Sequence, residues 1–183
     1  MTPLDSARIG EVIELGERLE INGEYEPAIL GSALHAVIAT TLLGQNATER
    51  ILQNHDIQDA ILPETADECA RRLLKTITNR FAPVSHYTEY PIHYTLETGQ
   101  LVSGWIDLLL ETDEGFILID HKASPRARSD WDGIALSYSG QIETYAEGVN
   151  RVADKPVISR WIHFAVMGGL VEVSQTQPAK LIV

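Results

Sequence analysis

The chain has 183 residues, 44% of them hydrophobic, which suits one compact domain with a substantial core. Its single cysteine, Cys69, excludes an internal disulfide and any cysteine-ligated zinc or iron–sulfur centre assembled within the chain. The formal net charge of −12 excludes the globally basic surface with which nucleic-acid binders usually hold phosphates. Either nucleic acid is not the substrate, or a carboxylate cluster holds cations while a larger partner grips the backbone.

No apolar run approaches the roughly 18 residues of a membrane span, and Met1–Asp5 lacks a signal-peptide profile. The expectation is a reducing, cytoplasmic setting with no membrane partner.

In residues 6–20, Ile9, Val12, Ile13 and Leu19 share one face at helical spacing, and Ser6 is placed to cap it, so the pattern predicts a helix. It belongs to a helical appendage over residues 1–30. Residues 31–43 predict a second helix, apolar nearly all round, ended by Gly44 and therefore buried. This helix carries His35, which taken alone reads as a hydrogen-bonded core histidine. Residues 45–63 are polar and loop-like, and Pro63 opens a third helix running to about Asn79. Within that helix Cys69 reads as a small buried hydrophobe.

From Ser85 the period becomes extended. A strand to Leu96, a turn at residues 97–100, a strand from Leu101 to Glu111, a turn near residues 113–115 and a strand from Phe116 to Lys122 form a three-strand meander. The run Phe116–Ile119 implies that the third strand is covered by helices on both faces. Asp107 and Asp120 each interrupt an apolar strand. If Asp113 and Glu114 form the turn, paired numbers add to 227 and Asp107 faces Asp120; if Glu114 and Gly115 form it, Asp107 faces Lys122. Both registers put Asp107, Asp120 and Lys122 on one face, whereas a three-residue turn breaks the set unless a bulge restores it.

Two neighbouring carboxylates repel unless a proton or cation joins them, and hard divalent ions such as Mg²⁺ take oxygen ligands of this kind. A lysine on the same face can position water or stabilise charge on a phosphate. The alternative is a half-exposed salt bridge at a sheet edge.

Residues 123–133 form a polar loop with Arg126 and Arg128 as candidate phosphate contacts. A helix over residues 135–150 places Tyr138, Gln141 and Tyr145 on one face that ought to be buried. Residues 156–166 predict a fourth strand reached by a helical crossover, followed by a hairpin partner at 170–173 and a tail from Gln175 to Val183.

The ordered set Gly31-x-x-x-His35, Glu89-Tyr-Pro, Gly104-x-Ile-Asp107, Ile119-Asp120-His-Lys122 and Gln141-x-x-x-Tyr145 resembles the RecB-type nuclease domain of the restriction-endonuclease-like PD-(D/E)xK superfamily, over about residues 31–165. The resemblance implies a mixed α/β (α+β) fold: helix, three-strand meander, helix and strand, with extra N-terminal helices. It assigns residues 31–166 to the nuclease core and 167–183 to a terminal strand and tail of a single domain spanning 1–183. It implies metal ligation by His35, Asp107 and Asp120, a catalytic set of Asp107, Asp120, Lys122, Gln141 and Tyr145, and Glu89 as an additional acidic position. His121 departs from the family, which often has an aromatic residue there.

The implied activity is Mg²⁺-dependent DNA exonuclease chemistry, with Mn²⁺ as a substitute ion. The family's domain often ends a longer UvrD/RecB/AddA-type helicase–nuclease of recombination and repair. No Gly-x-x-x-x-Gly-Lys-Ser/Thr motif is present, so the partners expected are DNA, in single-stranded form, and motor domains elsewhere in a longer chain or complex. A standalone exonuclease and an inactive DNA- or partner-binding module are the alternatives.

Overall fold

A computed structural model describes residues 7–96 and 98–175. Six strands form one mixed sheet in the order β1-β6-β5-β4-β3-β2. They are β1 (Ala7–Glu14), β2 (Ser85–Thr95), β3 (Leu101–Glu111), β4 (Phe116–Lys122), β5 (Val157–Phe164) and β6 (Gly169–Gln175). β4 and β5 run parallel, and every other neighbouring pair is antiparallel.

Helices cover both faces. On one, α1 (Pro27–Leu42), α2 (Thr48–Asn54) and α3 (Pro63–Thr76) bury Leu34, Val37, Ile38 and Leu73 against Leu108, Leu110, Ile117, Ile119 and Trp161. On the other, α4 (Trp131–Ser137) and α5 (Ser139–Val152) bury Trp131, Ile142, Ala146 and Val149 against Leu109, Leu118, Ile162 and Phe164. This three-layer arrangement explains why β4 reads as a continuous apolar run: its alternate side chains enter two different cores.

Within the helix expected at residues 6–20, Ala7–Glu14 forms a strand instead and residues 15–20 are irregular, so the described part of the 1–30 segment that precedes α1 is not helical. β1 pairs with β6 and carries a bulge between Ile9 and Val12. The extra residue shifts the alternation by one, so the partly buried Ile9 and Val12 fall three apart and imitate a helical stripe. Pairing with β6 outweighs that local resemblance. The Ser6 cap and the tail beyond Gln175 lie outside the described residues.

The segment 45–63 also departs from expectation, because α2 forms within it. Its Leu52 is fully buried, and the Thr48 hydroxyl donates to the Asp67 carboxylate on α3. A seven-residue helix is marginal alone and persists here through those contacts. The single helix expected at 135–150 is two, separated at Tyr138, and the loop before it contains a 3₁₀ turn at Arg128–Asp130. Burial of Trp131 against Phe164, rings stacked at 5.2 Å and 6°, starts α4 earlier than the sequence pattern suggests.

The β3–β4 hairpin takes the register whose pairs add to 227, with Glu111 opposite Phe116 and Leu108 opposite Ile119. Thr112 closes the turn, its N–H donating 2.9 Å to the Gly115 carbonyl. Beyond Leu108 and Ile119 this ladder ends.

Candidate functional site

The place where β3 and β4 part is the place where the charged residues gather. Two residues apart on β3, Ile106 enters the α4–α5 core and Leu108 enters the α1–α3 core, so the regular alternation breaks at Asp107. On neighbouring β2 the pairing steps from Thr88–Leu108 to Tyr90–Ile106, and the intervening Glu89 adopts φ +50°. A left-handed glutamate costs free energy and persists only where surrounding structure enforces it. The two irregularities turn Glu89 and Asp107 towards α1, where His35 projects.

One ligand atom from each of His35, Glu89 and Asp107 lies within 4.8 Å of the others. The His35 Nε2–H donates 3.0 Å to the His121 carbonyl, since a carbonyl can only accept. Its Nδ1 therefore faces Asp107 Oδ1, 3.5 Å away, either as a protonated donor or as a lone pair against a carboxylate. The His121 backbone N–H donates 2.6 Å to the other oxygen, Asp107 Oδ2. One peptide residue of β4 thus orients both His35 and Asp107.

The electrostatics follow from this geometry. Burial would lower the His35 imidazole, but the hydrogen bond and charge of Asp107 raise it above its ordinary value, with the His121 carbonyl and Asp120 adding to the effect. Burial would raise Asp107, yet His35 and His121 hold its carboxyl below the usual range. Glu89 is raised by burial and then by the charge of Asp107. Asp120, buried beneath Lys122, is raised by burial and by Asp107 in spite of its lysine. A proton or a cation relieves such a set, and an imidazole nitrogen with carboxylate oxygens suits a divalent ion. These donors fit one.

Asp120 and Lys122 share the face that looks towards α4 and α5. Lys122 Nζ sits 2.7 Å from Asp120 Oδ2 and 4.1 Å from the centre of the Tyr138 ring, held between a carboxylate and an aromatic face. The face expected to hold all three charged strand residues is therefore divided: Asp120 and Lys122 pair with each other, while Asp107 turns to His35.

Gln141 is exposed rather than buried, and its amide donates 3.2 Å to the Tyr145 hydroxyl. Tyr145 lies over Gly104, where any Cβ would stand 3.0 Å from the hydroxyl oxygen. Among the described residues no hydrogen bond joins Gln141 or Tyr145 to the carboxylates. Arg128 is engaged by Asp132 at 3.4 Å and stacks over Trp131, whereas Arg126 is exposed beside the Trp131 indole, which donates to its carbonyl. Neither arginine reaches the acidic cluster in this structure.

A buried histidine pair escaped sequence reasoning. His121 lies fully inside, with its Nδ1 3.1 Å from Nδ1 of His163 on β5. Burial pushes His121 down to about 4 and His163 well below its ordinary value. The parallel register that sets His121 opposite His163 depends on a long crossover rather than a turn, so no local pattern reveals it.

The profile of a family described as the PD-(D/E)XK nuclease superfamily matches residues 9–176. This chain belongs to that superfamily. The match extends the relationship beyond the motif-bearing core to β1 and β6, and the six-stranded mixed sheet with its flanking helices agrees with a restriction-endonuclease-like fold.

The superfamily domain is similar to proteins named as subunits of ATP-dependent helicase/nucleases. One, from Desulforamulus reducens, is 30% identical over 175 residues, covering 80% of this chain and 14% of that protein. Others from Levilactobacillus brevis (29% over 85 residues, 44% of this chain and 7% of that protein) and Limosilactobacillus reuteri (34% over 76 residues, 39% and 5%) match shorter stretches. The chain spans about a seventh or less of the length of these relatives. No helix among the described residues is long and apolar enough to cross a membrane.

Proposed function

We propose that this nuclease-superfamily domain hydrolyses DNA phosphodiesters as a divalent-metal-dependent exonuclease, with Mg²⁺ as the working ion and Mn²⁺ as a substitute. The observation that carries this reading is the meeting of His35, Glu89 and Asp107 beside the Asp120–Lys122 pair, at a strand irregularity centred on the left-handed Glu89. His35, Glu89 and Asp107 would hold the ion, with Asp120 adding a second charge nearby.

When bound, the ion supplies Lewis-acid polarisation of the phosphoryl group. The protein's own part is positioning. His121 fixes the His35 ring and the Asp107 carboxylate through its backbone carbonyl and N–H. Lys122, pinned by Asp120 and Tyr138, presents a positive charge where a phosphate oxygen gains charge in the transition state. Gln141 and Tyr145, hydrogen-bonded to each other, would offer polar groups to the strand, and the exposed Arg126 on the loop after β4 would supply a cation for it. Arg128 contributes there once released from Asp132.

The resemblance to helicase/nuclease subunits supports a longer protein or complex in which motor domains deliver single-stranded DNA, in the cytoplasm and in recombination and repair. An acidic domain of net charge −12 then relies on those partners for much of its hold on the strand.

The decisive experiment is hydrolysis of labelled single-stranded DNA by the 183-residue chain with Mg²⁺, with Mn²⁺ and with EDTA, beside the Asp107→Ala and Lys122→Ala variants. Cleavage that needs the ion and vanishes in both variants is expected. Metal binding without cleavage would instead mark an inactive binding module.

A further inference from the structure

The basic residues of this acidic chain are not spread evenly. Arg71, Arg72, Lys75 and Arg80, from α3 and the π-helical turn that follows it, line one open groove of about 620 Å³ together with Glu14 and Glu68. Four cations against two carboxylates reverses the balance of the whole sequence, in which Asp and Glu outnumber Lys and Arg by 26 to 14.

Much of this positive charge is lightly held. Glu68 is the ion-pair partner of both Arg71 and Arg72, Arg80 pairs with Glu11 of β1, and Lys75 has no ion-pair partner among the described residues. Exposed pairs of this kind contribute little and exchange readily for a competing anion, and a guanidinium matches phosphate oxygens in two-point fashion.

The groove also lies at the same edge of the sheet as the acidic site. Glu14 pairs with Gly169, Gly169 with Phe164, and Phe164 with Lys122, so one backbone row leads from the groove's edge to the end of β4, where the Lys122 side chain turns to the opposite, α4–α5 layer. Three strand spacings make the distance between the Glu14 and Lys122 backbones about 14 Å. The same end is tied together behind this row: Arg72 donates to the Glu17 carbonyl, Leu19 N–H donates to the Val166 carbonyl, and Ala165 N–H donates to the Lys122 carbonyl. Cys69 of α3 lies against Ala165, its thiol donating 3.4 Å to the Ala165 carbonyl. Groove and site therefore belong to one rigid edge.

We propose that the groove between the end of β1 and α3 is a track for the sugar–phosphate backbone of the strand being cut, gripping it a short distance from the site. The proposal rests on the nuclease reading above and adds to it a place where this domain itself holds nucleic acid.

The test uses fluorescence anisotropy of a labelled single-stranded oligonucleotide of about 12 nucleotides, titrated with the 183-residue chain in EDTA at several salt concentrations. Because Arg71 and Lys75 are exposed, the double variant R71E/K75E should keep its thermal midpoint. Its affinity should fall roughly tenfold or more and its log–log salt slope should flatten by about 1.4, the change expected for two lost phosphate contacts. In parallel, turnover of bis(p-nitrophenyl) phosphate with Mn²⁺ by the native chain and by Lys122→Ala reports on the site alone. Unchanged affinity and slope in R71E/K75E overturn the track, even if the diester assay upholds the site. An oligonucleotide that fails to bind the native chain overturns it too. Weakened binding without any diester turnover leaves the track standing and removes the nuclease reading instead.

Discussion

His163 Nδ1 lies 3.1 Å from His121 Nδ1, so two buried imidazoles share one proton between β5 and β4. Only one of the two nitrogens can donate, and burial keeps both rings neutral, in complementary tautomers. The contact anchors the His121 side chain, and the His121 backbone in turn holds Asp107 and His35. A pair of core histidines thus underlies the acidic site.

That pair makes the fold acid-sensitive. Both histidines are depressed by burial, His121 to about 4, so in the native state they remain neutral while the unfolded chain protonates below about 6.5. The native state binds fewer protons in this window, and stability therefore falls as pH drops from about 6.5 towards 4. The shift of His121 alone corresponds to at most about 3 kcal/mol. Urea midpoints measured at pH 7 and pH 5 should show the loss. His163→Phe should flatten the dependence while costing about 1–3 kcal/mol at pH 7 through the unpaired His121 nitrogen.

Asp120 is a buried carboxylate whose charge the fold opposes. Its folded pKa is raised by burial and by Asp107, so its ionised form opposes folding increasingly as pH climbs past the ordinary carboxylate value. Asp120→Asn should raise the thermal midpoint by a few degrees at pH 8 in the absence of metal, while eliminating hydrolysis. A lower midpoint would show that the Lys122 contact stabilises more than the buried charge costs.

Cation binding should stabilise the domain, and more so at higher pH. The Asp107–His35 interaction raises the His35 pKa, so its stabilising contribution is present below about 6.5 and disappears as pH rises through the elevated folded value. A divalent ion needs His35 deprotonated and takes over at that point. Differential scanning fluorimetry with Mn²⁺ at about 100 times its dissociation constant should give a rise of about 5–10 °C at pH 8, a much smaller one at pH 5.5, and reversal by EDTA.

Gly169 opens β6 directly beneath Trp131. A Cβ there would fall 2.1 Å from the indole ring, which is itself stacked on Phe164 and has no room to withdraw. Gly169→Ala should destabilise by about 3 kcal/mol or more by displacing α4, with loss of near-ultraviolet circular dichroism from Trp131 as the readout.

The meander and its site-bearing strands were legible because short-range chemistry encodes them. Asp113 and Glu114 make a two-residue turn, and the turn sets the register over Leu108–Glu111. β1 was not legible, because its bulge between Ile9 and Val12 mimics helical spacing and its partner β6 lies more than 150 residues away. Nor could spacing show that Asp107 would leave the face of Asp120: that depends on the left-handed Glu89 of the adjoining strand. Nor was the exposure of Gln141 legible: within α5 it is Ile142, Ala146 and Val149 that take the buried face, which leaves Gln141 on its flank.

By itself, the sequence determined which residues could do chemistry and most of the elements that carry them, because turn residues, apolar periodicity and isolated charges act over a few positions. The tertiary structure decided which of those residues meet. His35 meets Glu89 and Asp107 because two strands diverge against α1; His121 meets His163 through a parallel crossover; the basic groove reaches the row of Lys122 through three successive pairings. Each of these depends on contacts between segments far apart in the chain, where the whole core, rather than any local preference, sets the geometry.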